Sequence, residues 1–300
     1  MTGRAHLVER AVEALHEAEE RPTGARAAIA PDPIAPPPPA PAPAPASPEG
    51  DTRPVVSQAE LEHAGLLPRP RGEGRSRLAE EIELVRHQLL RGIPALPPGD
   101  PRCARVVMVT SAAPGEGKTF TSLNVAAAIA EGVAAPVLLI DADGRRGSLG
   151  EMLGLGGTPG LRALAASPSL APATLLCRTA IPRLSVLTND GLPGAGEAPG
   201  ADALAAAVRQ IAAAFPDHLI ILDMPPALAA ADAGAMAPIA GQIVLVVLAE
   251  KTQRNEVEAA LDVIEACPDI RLLLNRAGLT VNDSFGAHGA YNGQPSPEAA

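Results

Sequence analysis

From residue 106 onward, short apolar runs punctuate the chain at 106–110, 137–140, 184–187, 219–222, 243–248 and 271–274. They are rich in Val, Ile and Leu, and they are continuous rather than alternating, the pattern of strands covered on both faces in a parallel sheet. Helical spacing fills the intervals between them. The pattern predicts an α/β fold, a mostly parallel sheet flanked by helices, over residues 102–280. Before it, Leu78, Ile82, Val85 and Leu89 fall on one face of a helix expected over Arg75–Leu90, and Pro94, Pro97, Pro98 and Pro101 end it. This helix and a short element before it make up a segment over 55–101. Residues 1–20 repeat the helical spacing with Leu7, Val8, Ala11, Val12, Leu15 and Ala18. Such a helix packs on its own domain or docks on a membrane-embedded partner. The second reading is preferred because ten prolines lie between Pro31 and Pro48, within a Pro/Ala-rich linker over 21–54 expected to be stiff, extended and disordered. Residues 150–200, rich in Gly, Pro and Ala, are expected to carry loops around a site. Residues 281–300, polar and Gly/Pro-containing, read as a disordered tail.

Composition narrows the function classes. A net charge of −10 without a long Lys/Arg run argues against nucleic acid as the main partner. No apolar run approaches the roughly 18–20 residues that span a bilayer, and the charged N-terminus does not read as a signal peptide. A cytoplasmic protein is expected. Cys103, Cys177 and Cys267 are far apart and in no ligand spacing, so they read as reduced packing residues. With no Trp and three Phe, the core must be built from Ala, Leu, Val and Ile.

The candidate chemistry sits where strands end. The run Val106-Val-Met-Val-Thr-Ser-Ala-Ala-Pro-Gly-Glu-Gly-Lys-Thr119 is a strand, a glycine turn and the start of an Ala-rich helix. This is the setting of a phosphate-binding loop, with Ala112 in place of the usual first glycine. Glycines let backbone N–H groups turn inward on phosphate oxygens, and the helix N-terminus adds a positive field. Lys118 is placed to reach the β- and γ-phosphates, and the Thr119 hydroxyl to ligate Mg²⁺. The strand Val137–Ile140 runs into Asp141 and Asp143, followed by Gly144-Arg145-Arg146. The strand Leu219–Leu222 runs into Asp223 and Met224-Pro225-Pro226. Ligands of parallel α/β sheets sit at the carboxyl ends of strands, where these carboxylates can hold Mg²⁺ directly or through water. A helix-capping Asp is the plain alternative for each, and three such elements in this order weigh against it.

These three elements, Ser111–Thr119, Asp141–Arg146 and Asp223–Pro226, resemble the Walker motifs of the bacterial tyrosine kinases of polysaccharide export, a branch of the Min/Par-like P-loop ATPases. The Pro114-Gly-Glu-Gly-Lys118 sequence is that branch's variant. Leu7–Leu15, Leu61–Pro68, Ser76–Glu81, Gly241–Val247, Ile264–Cys267 and Leu272–Arg276 look similar to the exosortase/PEP-CTERM-associated tyrosine autokinases. The chain differs from the wider Min/Par group at one position and from the kinase family in two places. Ala113 stands where Min/Par proteins usually carry a signature Lys. The tail keeps Tyr291, the sole tyrosine of the chain, where relatives have a tyrosine-rich cluster. The helix reads Glu80-x-x-Glu83-x-x-Arg86 where relatives have Glu-x-x-Arg-x-x-Arg for subunit contacts, so no more than a weak homo-oligomer is expected.

The resemblance implies a P-loop NTPase that uses ATP and Mg²⁺ as a protein-tyrosine autokinase in exopolysaccharide biosynthesis. ATP is expected on Pro114, Gly115, Glu116, Gly117, Lys118, Thr119 and Phe120, with Asn275 against adenine. Thr119, Asp143 and Asp223 are expected to hold Mg²⁺, Lys118 to neutralise the transferred phosphoryl group, and Asp141 to orient or deprotonate the attacking hydroxyl. Arg145 is a candidate for fixing acceptor or phosphates, with a solvated surface Arg as the alternative. Tyr291 is the expected phosphoacceptor. A membrane chain-length-determinant or export protein is the expected partner, placing the chain peripherally at the inner membrane. The alternatives are a kinase-deficient ATPase switch that binds such a partner, and a Min/Par-type positioning ATPase.

Overall fold

The computed structural model describes residues 55–68, 76–97, 99–132, 135–194 and 198–277. The expected N-terminal helix, the proline-rich linker and Tyr291 lie outside them. The described residues form a seven-stranded sheet of β1 (Cys103–Ser111), β2 (Val137–Asp141), β3 (Cys177–Arg178), β4 (Leu184–Leu187), β5 (Leu219–Asp223), β6 (Ala240–Leu248) and β7 (Ile270–Asn275). The order is β3-β4-β2-β5-β1-β6-β7. Every pairing is parallel except that of β3 with β4 at one edge. The expected strands are all present. β1 and β6 start three residues before their apolar runs, because Cys103–Arg105 and Ala240–Gln242 pair without being uniformly apolar.

Continuous apolar strands follow from cover on both faces. Val106, Met108, Leu138, Ile140, Ile220 and Leu222 point into one cluster, closed by α6 (Ala201–Ala214), α7 (Asp232–Met236) and α8 (Arg254–Ile264). Their neighbours Val107, Val109, Leu139, Val137, Leu219 and Ile221 point into the other, closed by α1 (Gln58–His63), α2 (Arg77–Arg91) and α3 (Lys118–Gly132). Alternation of side chains across a strand divides each run between the two cores. α3 is apolar almost all round, with small Ala126, Ala127 and Ala130 buried, as a helix sandwiched between sheet and α2 must be. The β7 run departs from expectation. Leu272 and Leu274 are each 61% exposed, because β7 is an edge strand and one of its faces lacks a covering helix.

Residues 149–178 hold more structure than the loops expected there: α4 (Leu149–Met152), α5 (Leu161–Ala166), a 3₁₀ turn at Pro172–Leu175, and β3. Each is too short to show a period, so its Gly, Pro and Ala content masks it. α1 is capped reciprocally by Ser57 and Glu60. The segment after it is tied down by Asn124 of α3, which accepts from Leu67 N at 2.8 Å and donates to Gly65 O at 3.0 Å. The far end of α2 is held by Gln242 Nε2 on Leu89 O at 3.1 Å and Arg271 on Gln88 O.

On α2 the buried stripe is Ile82, Arg86 and Leu89, with Leu78 exposed. Arg86 lies so close over the C-terminal end of α3 that a Cβ on Gly132 would meet its guanidinium, and a cation is favoured at that end of a helix. Glu83 pairs with Arg86 at 2.6 Å, so Glu83 has a partner in its own helix. Among the described residues no disulfide joins Cys103, Cys177 and Cys267, and no helix is long and apolar enough to cross a membrane.

Candidate active site

The strand register brings the three sequence elements together. Asp141 of β2 is the pairing partner of Asp223 of β5, and Asp223 that of Val109 of β1, two residues before the loop. Adjacent strands run about 4.8 Å apart, so both aspartates and the glycine loop share one end of the sheet.

The loop turns at Gly115 and Gly117, whose φ values are +83° and +96°, a region costly for residues with a Cβ. At Gly117 a Cβ would also stand 2.1 Å from Asn275 Nδ2. Asn275, expected against adenine, lies against the loop: its Nδ2 donates to Glu116 O at 2.8 Å and its Oδ1 accepts from Arg276 N. Glu116 turns inward and is buried. One carboxylate oxygen accepts from Ala113 N at 2.8 Å and the other from the Thr252 hydroxyl, which itself accepts from Leu248 N. Its side chain braces the loop against the β6–α8 turn. Thr252 is a member of this brace that no sequence pattern indicated.

Lys118, first residue of α3, points from the loop to Asp143 Oδ2 at 2.8 Å and lies 3.4 Å from Thr119 Oγ1. Arg145 approaches the other oxygen of Asp143 at 2.9 Å, with its own side chain 45% exposed. Burial alone would raise the Asp143 carboxyl, but the hydrogen bonds from Lys118 and Arg145 outweigh it and hold the group below the ordinary carboxylate range. Asp141 accepts from Gly150 N at 2.8 Å on one oxygen and Asp143 N at 3.0 Å on the other. Burial nevertheless lifts it to about 6, the N–H bonds offsetting part of the rise. A carboxyl titrating there is poised for proton transfer near neutral pH.

Asp223 is fully buried. One oxygen lies 3.1 Å from the Ser122 hydroxyl, and its Oδ2 has no partner. Burial pushes its carboxyl up to about 7 against the attraction of Lys118. An unpartnered buried carboxylate oxygen at the phosphate loop fits a hard cation or its water. Among the described residues no three His, Cys, Asp or Glu side chains are set to hold a metal by themselves. Thr119, Asp143 and Asp223 instead suit Mg²⁺, which takes one or two carboxylates and completes its shell with phosphates and water.

Without nucleotide and metal this arrangement costs stability. The folded state binds the Asp223 proton up to about pH 7 and the unfolded chain only to about pH 4. Stability therefore falls as pH rises through that window, and the loss is complete above pH 7. Asp223→Asn is expected to stabilise the chelator-treated, nucleotide-free protein at pH 8, on the order of a few kcal/mol and visible as a raised melting temperature, and to change it little near pH 4.5. An unchanged or lowered melting temperature at pH 8 would show that Asp223 is not held protonated by its surroundings.

No protein-family model matches the chain. Over 191 residues it is 30% identical to the tyrosine-protein kinase YwqD of Bacillus subtilis (strain 168), covering 63% of this chain and 79% of that one. It is likewise 30% identical over 191 residues to the tyrosine-protein kinase CpsD of Streptococcus agalactiae, covering 62% and 80%. With the tyrosine-protein kinase Wzc of Salmonella typhimurium it is 32% identical over 160 residues, which make up 52% of this chain but 21% of that larger one. Two solved structures share the fold. The kinase domain of Escherichia coli tyrosine kinase ETK matches with a TM-score of 0.55 at 23% identity, covering 74% of this chain and 88% of that chain. The chimerical protein CapA2B2 matches with a TM-score of 0.54 at 24% identity, covering 73% and 93%. The fold is that of a P-loop NTPase, and the chain belongs to the bacterial tyrosine-protein kinases.

Proposed function

We propose that the chain is an ATP-dependent protein-tyrosine autokinase that regulates exopolysaccharide assembly from the cytoplasmic face of the inner membrane. A membrane-embedded chain-length or export protein would hold it there. The observation that carries this reading is the convergence of Lys118, Asp143, Asp141 and Asp223 on the phosphate loop, at the carboxyl ends of neighbouring strands, in a chain of this family.

Each residue has a distinct task. The N–H groups of Gly115–Thr119 cradle the phosphates, with Pro114 and Phe120 flanking them. Lys118 exchanges Asp143 for the transferred phosphoryl group and neutralises its developing charge, and Asn275 turns from Glu116 toward the adenine. Thr119, Asp143 and Asp223 would hold Mg²⁺, which supplies charge neutralisation on the phosphate oxygens when bound. Asp141 accepts the proton of the attacking hydroxyl. Phosphoryl transfer depends chiefly on positioning and electrostatics, so this small set suffices.

The acceptor is Tyr291, the one tyrosine in the sequence, in a Gly-rich segment. Purified protein incubated with MgATP should carry phosphotyrosine at that position by mass spectrometry. Tyr291→Phe is expected to remove all of that signal while ATP hydrolysis continues. The same scarcity of tyrosine favours a second reading, an ATPase switch whose output is nucleotide-dependent binding of its membrane partner. Wild-type protein that hydrolyses ATP yet carries no phosphotyrosine, with the partner present, would replace the first reading with the second.

A further inference from the structure

A second polar cavity opens beside Asp141. It holds about 200 Å³ and is lined by Asp141, Gly144, Arg145, Gly150, Arg162 and Asn189 with adjoining loop residues. Two of these side chains have no use within the fold. Asn189 is 5% exposed, yet neither its Nδ2 nor its Oδ1 has a hydrogen-bond partner, and the buried Nε of Arg162 has none. Leaving a buried donor or acceptor unsatisfied costs about 1–3 kcal/mol each, so three such atoms on two residues that line one cavity ask for a reason.

Their backbones are held in place. Leu161 N donates to Thr188 O at 2.7 Å, and Gly160 N donates to Asp190 O at 2.8 Å, which pins the residues around Asn189 to the start of α5. Arg162 stands on that first turn. Both side chains converge on Gly144: a Cβ there would lie 2.6 Å from Asn189 Nδ2 and 2.9 Å from an Nη of Arg162. Gly144 links Asp143, which holds Lys118, to Arg145. The unsatisfied atoms therefore stand at the rim of the phosphoryl-transfer site, on the Asp141 side.

The unmet groups specify a ligand. Asn189 offers a donor and an acceptor, and Arg162 a second donor. A hydroxyl is both donor and acceptor, so it satisfies an amide at both ends. A phosphate ester offers acceptors alone and leaves Asn189 Oδ1 unmet. We propose that Arg162 and Asn189 form the acceptor subsite, in which they receive the phenolic hydroxyl of the incoming tyrosine and present it to Asp141. This rests on the kinase reading above. On binding the phenolic O–H donates to Asn189 Oδ1; for transfer it turns to Asp141, the phosphoryl group moves from ATP to the phenolic oxygen, the proton passes to Asp141, and ADP leaves. The phosphorylated side chain no longer matches Asn189, so the subsite favours substrate over product.

The full chain, with a soluble tyrosine peptide as added acceptor, tests this. A lost hydrogen bond to the acceptor corresponds to roughly 10–100-fold in affinity. Asn189→Leu and Arg162→Gln are each expected to raise the KM for the peptide, or to slow Tyr291 labelling, by about that factor. MgATP affinity should stay within about twofold of wild type, because the cavity these residues line includes none of Gly115–Thr119. Asn189→Leu should melt no lower than wild type, since it removes an unsatisfied amide. Wild-type labelling rates in both variants would overturn the subsite. So would a parallel loss of MgATP affinity, which would make these residues supports of the nucleotide site. A serine peptide phosphorylated as well as the tyrosine peptide would overturn the phenolic assignment. Wild-type protein that labels no tyrosine would fail the kinase reading, and the subsite with it.

Discussion

Replacing Lys118 with methionine is expected to abolish phosphoryl transfer, with a loss of at least about 10³-fold. The side chain bridges two parts of the site. It starts on the first turn of α3, where the glycine loop hands over to the helix, and it ends 2.8 Å from Asp143. It is also the cation that opposes the rise of the Asp223 carboxyl. Methionine keeps most of the length and bulk, so the loop should hold its shape through Glu116, Ala113 and Asn275. What disappears is the positive charge at the phosphates. Asp143 then keeps Arg145 as its cation, and Asp223 lies beside Asp141 with no nearby positive charge. MgATP titration should show weakened binding, and phosphotyrosine by mass spectrometry should vanish. Turnover at the wild-type rate in a folded Lys118→Met protein would remove this loop from the chemistry. A melting curve taken alongside separates loss of function from loss of fold.

The parts of this site that were legible in the sequence are those with local signatures. Uninterrupted Val/Ile/Leu runs read as strands covered on two faces, and the two-core sheet follows from them except at the edge strand β7, where Leu272 and Leu274 are exposed. The loop was legible because Gly115, Gly117, Lys118 and Thr119 serve one ligand at fixed spacing. The strand-end aspartates were legible because polarity changes abruptly after Ile140 and Leu222. The β2–β5–β1 register then puts Asp141, Asp223 and the loop side by side. What was not legible depends on contacts between distant residues. Glu116 meeting Thr252, and Asn275 meeting the Glu116 carbonyl, join the loop to the ends of β6 and β7 across well over a hundred residues. Asn189 and Arg162 belong to no motif and converge only once α5 is pinned to the chain after β4. On α2 the period was right, but Arg86 took a buried place and Leu78 an exposed one, because the end of α3 supplies carbonyls that a cation can face. Short elements such as α4, α5 and β3 lie below the length at which any period shows. The acceptor role of Tyr291 rests on sequence throughout.

Asp141→Asn is expected to separate binding from chemistry. The residue takes no part in the ion pair of Lys118 with Asp143, so MgATP should still bind with an affinity near wild type. Transfer to tyrosine should fall by about 10²–10⁴-fold, the usual contribution of a general base. The geometry supports a base in this position. The carboxyl is buried and raised to about 6, and it lines the same cavity as the unsatisfied Asn189 and Arg162. An amide is nearly isosteric but cannot accept the phenolic proton. It also changes a local contact. Both carboxylate oxygens accept backbone N–H groups, from Asp143 and Gly150, and the amide nitrogen of Asn cannot accept from either. Gly150 leaves little room for adjustment, since even a Cβ there would lie 3.2 Å from Asp141 Oδ2. Some loosening of the start of α4 is therefore expected, visible as a lower melting temperature. The kinetic test is single-turnover labelling of Tyr291 at saturating MgATP, which removes any small change in nucleotide affinity from the comparison. A rate within a few-fold of wild type would move the base role from Asp141 to another group. A rate that falls in step with MgATP affinity would make Asp141 a support of the phosphate loop.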